Sequence, residues 1–157
     1  DLRIYSSCYS LTSFTLGCLP VLETLDISHC KNLKSISIAE NASQSLSILQ
    51  HLSICRCPEF DSFPEGGLPT PNLIHMEVLL CGKLNSFPEP ISTLVSLQDL
   101  NISDLPNLGS FAKEGLPIKL QSFIVYTPGR FWTTTICEWG FQGSLFFHHF
   151  TLEAMKF

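Results

Sequence analysis

Leu22-Glu23-Thr24-Leu25-Asp26-Ile27-Ser28-His29-Cys30-Lys31-Asn32-Leu33-Lys34-Ser35-Ile36 is one unit of a repeating pattern. Its fixed letters fall as L-x-x-L-x-I-x-x-C-x-x-L-x-x-I, and the phrase returns at Leu49, Leu52, Ile54, Cys57, Phe60, Phe63 and at Leu73, Met76, Val78, Cys81, Leu84, Phe87. A further copy, Leu97, Leu100, Ile102, Leu105, Leu108, Phe111, puts leucine in place of cysteine. The first copy is already under way at Leu2, Ile4, Cys8, Leu11 and Phe14, and a sixth opens at Leu120, Phe123 and Val125 before losing the pattern. Positions 2, 25, 52, 76, 100 and 123 mark the second leucine, at spacings of 23, 27, 24, 24 and 23. A unit of that length cannot bury its own apolar face, so units must stack and share one continuous core.

The central L-x-I of each unit reads as a short strand with its two apolar side chains inward and its neighbours outward. The period and the phrase resemble leucine-rich repeats. They predict an α/β solenoid, a leucine-rich-repeat superhelix with a short-stranded parallel concave sheet and a mostly irregular, turn-rich convex face. The return segments agree: Phe63-Pro64-Glu65-Gly66-Gly67-Leu68-Pro69-Thr70-Pro71 and Phe87-Pro88-Glu89-Pro90 are dense in residues that break helices. Only the return from Ser35 to Gln44, without proline or glycine, permits a strand or a helical turn. Cys8, Cys30, Cys57, Cys81 and Leu105 share one position after the strand and read as a structural ladder of buried small apolar groups, in which a thiol can also bond a backbone carbonyl weakly. Cys55 and Cys57 form a C-x-C, but strand alternation sends them to opposite sides and spoils chelation, so no metal site is expected.

At 157 residues and 45% hydrophobic content the chain is large enough for such a core. A net charge of -5 with 15% charged residues leaves no basic footprint for nucleic acid. No apolar run approaches a membrane span. Seven cysteines, an odd number with no pairing scheme, suit a reducing compartment. The chain opens at Asp1 inside a strand and without methionine, so it reads as a C-terminal piece of a longer protein.

The phrases L-x-x-L-x-I-S-x-C-x-x-L, S-F-P-E-G-G-L-P and I-S-x-L-x-S-L-Q-x-L-x-I-S resemble the repeats of plant intracellular disease-resistance receptors, specifically the coiled-coil, nucleotide-binding, leucine-rich-repeat class. The resemblance covers residues 2 to 126, including Leu22 to Ile36, Leu49 to Pro69, Leu73 to Glu89, Leu97 to Phe111 and the echo Glu114-Gly115-Leu116-Pro117. It implies a cytoplasmic protein-recognition module in defence, binding a pathogen effector or a guarded host protein and contacting the receptor's own nucleotide-binding domain. No G-x-x-x-x-G-K-[ST] occurs, so no cofactor is expected here and ADP or ATP would bind upstream sequence. An extracellular repeat receptor or enzyme-inhibitor ectodomain is the nearest alternative, but Cys81-Gly82-Lys83-Leu84-Asn85-Ser86-Phe87-Pro88 lacks the L-x-G-x-I-P phrase that such proteins resemble. Substrate-recognition repeats of a ubiquitin-ligase adaptor are a third reading. Asn41-Ala42-Ser43 and Asn101-Ile102-Ser103 match glycosylation acceptors, and both are taken as unmodified.

Stacking turns equal repeat positions into columns about 4.8 Å apart on the concave face. The columns are Thr24, His51, His75, Asp99, Ser122; Asp26, Ser53, Glu77, Asn101, Ile124; Ser28, Cys55, Leu79, Ser103, Tyr126; and His29, Arg56, Leu80, Asp104, Thr127. The expected partner surface has Leu79 and Leu80 as an apolar centre, rimmed by Arg56, His51, His75, Glu77, Asp99 and Asp104, with Asp26, His29, Ser53 and Asn101 beside it. Protonation of neighbouring His51 and His75 would weaken binding near pH 6. Cys55 and His75 raise a thiol-imidazole pair as the sole catalytic option, but an open sheet offers neither pocket nor oxyanion site, so no enzyme is expected.

The repeats occupy 1 to 126, and 127 to 157 form an atypical aromatic-rich tail or cap. Ser144 to Lys156 could form a short helix with Phe146, Phe147 and Phe150 on a broad apolar face, and a tail that does not fold with the repeats is the preferred reading. His148, His149 and Cys137 are read as a stray grouping, because adjacent helical residues point about 100° apart.

Overall fold

The computed structural model describes residues 1–5, 10–39, 46–64, 66–87, 90–108, 115–128 and 149–155. Cys8, Glu65, Pro88, Glu89, Phe111, Cys137, His148 and the aromatics Phe131, Trp132, Trp139, Phe141, Phe146, Phe147 and Phe157 lie outside them.

Each L-x-I is a strand. They are β1 (Leu2–Tyr5), β3 (Thr24–Ser28), β5 (His51–Cys55), β6 (His75–Leu79), β7 (Asp99–Ser103) and β8 (Ser122–Pro128). With β9 (His149–Met155) they form one parallel seven-stranded sheet in the order β1-β3-β5-β6-β7-β8-β9. The parallel-sheet solenoid expected from the repeat is the fold.

The three-residue spacings of the phrase are turn closures. The leucine that opens each unit donates its N–H to a carbonyl three residues back: Leu22 to Leu19, Leu49 to Leu46, Leu73 to Thr70, Leu97 to Leu94 and Leu120 to Pro117, at 3.0 to 3.1 Å. The C-x-x-L spacing does the same on leaving the strand, with Leu33 donating to Cys30, Phe60 to Cys57, Leu84 to Cys81 and Leu108 to Leu105. Between these turns a single carbonyl of the preceding unit accepts two successive N–H groups, as Glu23 does from Gln50 and His51, and Gln50 from Ile74 and His75. Backbone groups that a short strand would leave unpaired are satisfied by the adjacent unit.

The convex side is mostly irregular. β2 (Ser13–Leu16) pairs in parallel with β4 (Ser35–Ile38), which resolves the Ser35 return as a strand rather than a helical turn. Among the described residues the helical content is one 3-10 turn, Ile91–Thr93. Gly66 and Gly67 at φ 85° and Gly115 at φ 93° explain the E-G-G-L-P and E-G-L-P phrases, because a side chain would be strained there. The core between the two sides is built from the fixed letters, and Phe60, Phe63 and Phe87 make an aromatic run: 5.2 Å edge-on, then 6.0 Å stacked.

The helix considered over 144–156 is not what forms at its centre: His149–Met155 is a strand aligned with Ser122–Pro128. A neighbouring strand edge offers seven residues of backbone pairing, which overrides local helical spacing.

Candidate protein-interaction face

The concave columns are registered as the repeat requires. His51 lies opposite Thr24 and His75, His75 opposite Asp99, and Asp99 opposite Ser122. The next outward column runs Arg3, Asp26, Ser53, Glu77, Asn101, Ile124. Together they line a shallow trough of about 410 Å³.

Side chains in the trough hold one another. Glu77 accepts from the Ser53 hydroxyl at 3.2 Å and from the Asn101 amide at 2.8 Å, so its carboxylate is fixed by both neighbouring strands. Asp99 lies 2.6 Å from His75 Nδ1, which keeps a proton on that nitrogen. The His51 and His75 rings stack at 4.6 Å and 10°. Tyr5 donates to Asp26 at 3.0 Å.

The remaining expected site residues form a separate row. His29, Arg56, Leu80 and Asp104 follow the strands, each in the left-handed backbone region at φ 58°, 53°, 54° and 52°. His29 and Asp104 are of types enriched in that region, but Arg56 and Leu80 carry no sign of it in the sequence. The backbone compensates: His29, Arg56 and Leu80 each donate N–H to the last carbonyl of the next strand, at Cys55, Leu79 and Ser103, all at 2.9 Å. Arg56 donates to His29 Nε2 at 2.9 Å, a bond that requires an unprotonated Nε2. Leu80 is 41% exposed, so it does not turn into the core, and Leu79 beside it is half-buried. Neither leucine lines the trough, so the apolar pair is not its centre.

Cys30, Cys57, Cys81 and Leu105 are buried at one repeat position. Each thiol donates to two carbonyls, one of its own strand and one of the preceding unit: Cys57 to Cys55 and Ile27, Cys81 to Leu79 and Ile54, Cys30 to Ser28 and Ile4, at 3.4 to 3.9 Å. Burial pushes the Cys57 thiol up to about 12 and the Cys81 thiol up to about 11. Cys55 is also raised, chiefly by burial; Arg56 opposes this while Glu77 and Asp26 add to it. Cys55 and His75 are not brought together: Cys55 pairs with Leu79, and the His51–His75 pair is four strand positions away, about 13 Å. Among the described residues no group of three histidines, cysteines or carboxylates is placed to hold a metal ion. No described helix is long and apolar enough to cross a membrane.

The chain is 35% identical over 141 residues to an Arabidopsis thaliana protein provisionally named a disease resistance protein, covering 90% of this chain and 10% of that one. It is 26% identical over 122 residues to the Arabidopsis thaliana protein named for variation in compound-triggered root growth response, covering 78% of this chain and 9% of that one. The chain thus spans about a tenth of the curated relatives it matches. No family model matches it, and no solved structure does. Repeat phrase, parallel solenoid and the 35% identity together make this chain a leucine-rich-repeat region of the plant disease-resistance type.

Proposed function

We propose that this chain is the protein-recognition part of a plant disease-resistance receptor, acting in defence in the cytoplasm without catalysis of its own. One observation carries the reading: the register brings the variable polar positions of successive units onto one continuous concave face, while the fixed letters are consumed by the core. Such a face suits a protein partner, either a pathogen effector or a guarded host protein, and also the receptor's nucleotide-binding domain, which would carry any ADP or ATP. The buried thiols, which hydrogen-bond as thiols, suit a reducing compartment.

The test is made in the full-length receptor, expressed in leaves with the pathogen signal it responds to. Charge-reversing or bulky substitutions on the concave face (Ser53→Arg, Glu77→Lys) should abolish or unleash the cell-death response, whereas Lys83→Glu and Asn107→Ala, outside the trough lining, should not. An unchanged response from the concave variants at normal protein level would reject the reading.

A further inference from the structure

Among the described residues that line the trough, carboxylates outnumber cationic side chains. Among the described residues lining it, the carboxylates are Asp26, Glu77 and Asp99 and the sole guanidinium is Arg3, which stands opposite Asp26 in the register. Glu77 and Asp99 are diagonal neighbours on adjacent strands, about 7–8 Å apart at the backbone. Lys83, outside the trough lining, is paired with Glu59 at 2.7 Å, and Arg56 is turned to His29. Among the described residues, Glu77 spends one hydrogen bond on each oxygen and Asp99 one in all, whereas a carboxylate offers about four acceptor sites. Both are thus held in place with acceptor capacity left over, next to the stacked imidazoles of His51 and His75.

We propose that this face receives an extended, arginine-bearing segment of a protein partner, with a guanidinium seated between Glu77 and Asp99 beside the histidine stack. A planar guanidinium fits the site better than an ammonium, because it can bond carboxylates in fixed geometry and lie against an aromatic ring. A nucleic acid or a phosphorylated segment is repelled by the same carboxylates. A second copy of this chain, itself at net charge -5, is also disfavoured. This inference rests on the recognition reading and specifies the partner's chemistry.

The experiment measures fluorescence anisotropy of the 157-residue chain with labelled twelve-residue serine-glycine peptides carrying arginine, lysine or glutamate at every third position. The arginine peptide should bind, the lysine peptide more weakly and the glutamate peptide not at all. Glu77→Gln and Asp99→Asn should each weaken arginine-peptide binding about tenfold, while Glu59→Gln, an equal charge change elsewhere, should stay within about twofold. Glu77→Gln preserves shape, and the Ser53 hydroxyl can reverse to accept from the new amide; circular dichroism melts verify that each variant is folded. Equal binding of arginine and glutamate peptides overturns the proposal, as does an effect of Glu59→Gln equal to that of Glu77→Gln. If concave variants still silence the receptor in leaves while the arginine peptide fails, this proposal falls and the recognition reading stands. If the peptide binds as expected and those variants leave the receptor unaffected, the recognition reading falls instead.

Discussion

The Cys57 thiol donates to the carbonyl oxygen of Ile27, in the preceding unit, across 3.8 Å. Thirty residues of sequence separate them, and the contact ties one turn of the solenoid to the next. Cys57→Ala removes this bond and the sulfur's packing, and should cost about 1–2 kcal/mol in urea unfolding. Leu105→Ala at the same repeat position removes more volume and should cost about 2–5 kcal/mol. A Cys57→Ala variant as stable as the parent would mean the ladder is only filler.

The same thiols predict a loss of stability in alkali. Their folded values, about 12 for Cys57 and about 11 for Cys81, lie above the ordinary value of 9.0. Below pH about 9 both states hold the proton and stability is full; above it the unfolded chain ionises first, and stability falls until the folded thiols also ionise. The expected slope is about 1.4 kcal/mol per pH unit for each thiol. Urea midpoints followed from pH 8 to about 10.5 should fall less steeply in a Cys57→Ala/Cys81→Ala variant. Parallel profiles would contradict the assignment.

Thr70 occupies the turn position held by Leu46 in the preceding unit and Leu94 in the following one, and its buried hydroxyl has no hydrogen-bond partner among the described residues. Thr70→Val keeps the shape and removes the unsatisfied group. We expect a gain of about 1 kcal/mol, read as a higher thermal midpoint.

Leu80 holds a left-handed backbone with a bulky side chain that is 41% exposed. Asparagine tolerates that conformation and valine does not, so Leu80→Asn should stabilise by about 0.5–1 kcal/mol and Leu80→Val should destabilise by about 1–2 kcal/mol. Thermal melts of the two variants check both signs.

Much of this protein follows from its period. Because units must stack to bury leucine, isoleucine and cysteine, the spacing of the letters dictates that Leu25 lies against Leu52 and Leu52 against Met76, and alternation then sends Asp26, Ser53, Glu77 and Asn101 outward as a column. The convex turns were equally legible in proline and glycine. The strand β4 was not, since Ser35-Ile36-Ser37-Ile38 suits strand or turn until Ser13–Leu16 stands beside it. Nor was β9, where pairing with β8 outweighs a local helical pattern.

The repeat is legible in the letters themselves: which side chains are inside, which are outside, and which share a column. How the outward side chains act together came only with stacking. It turned His29, Arg56, Leu80 and Asp104 into a left-handed row, drew Arg56 onto His29, and fixed Glu77 between Ser53 and Asn101. Those relations join residues some 24 to 27 positions apart, and they depend on backbone angles and side-chain directions that only the stacked units impose.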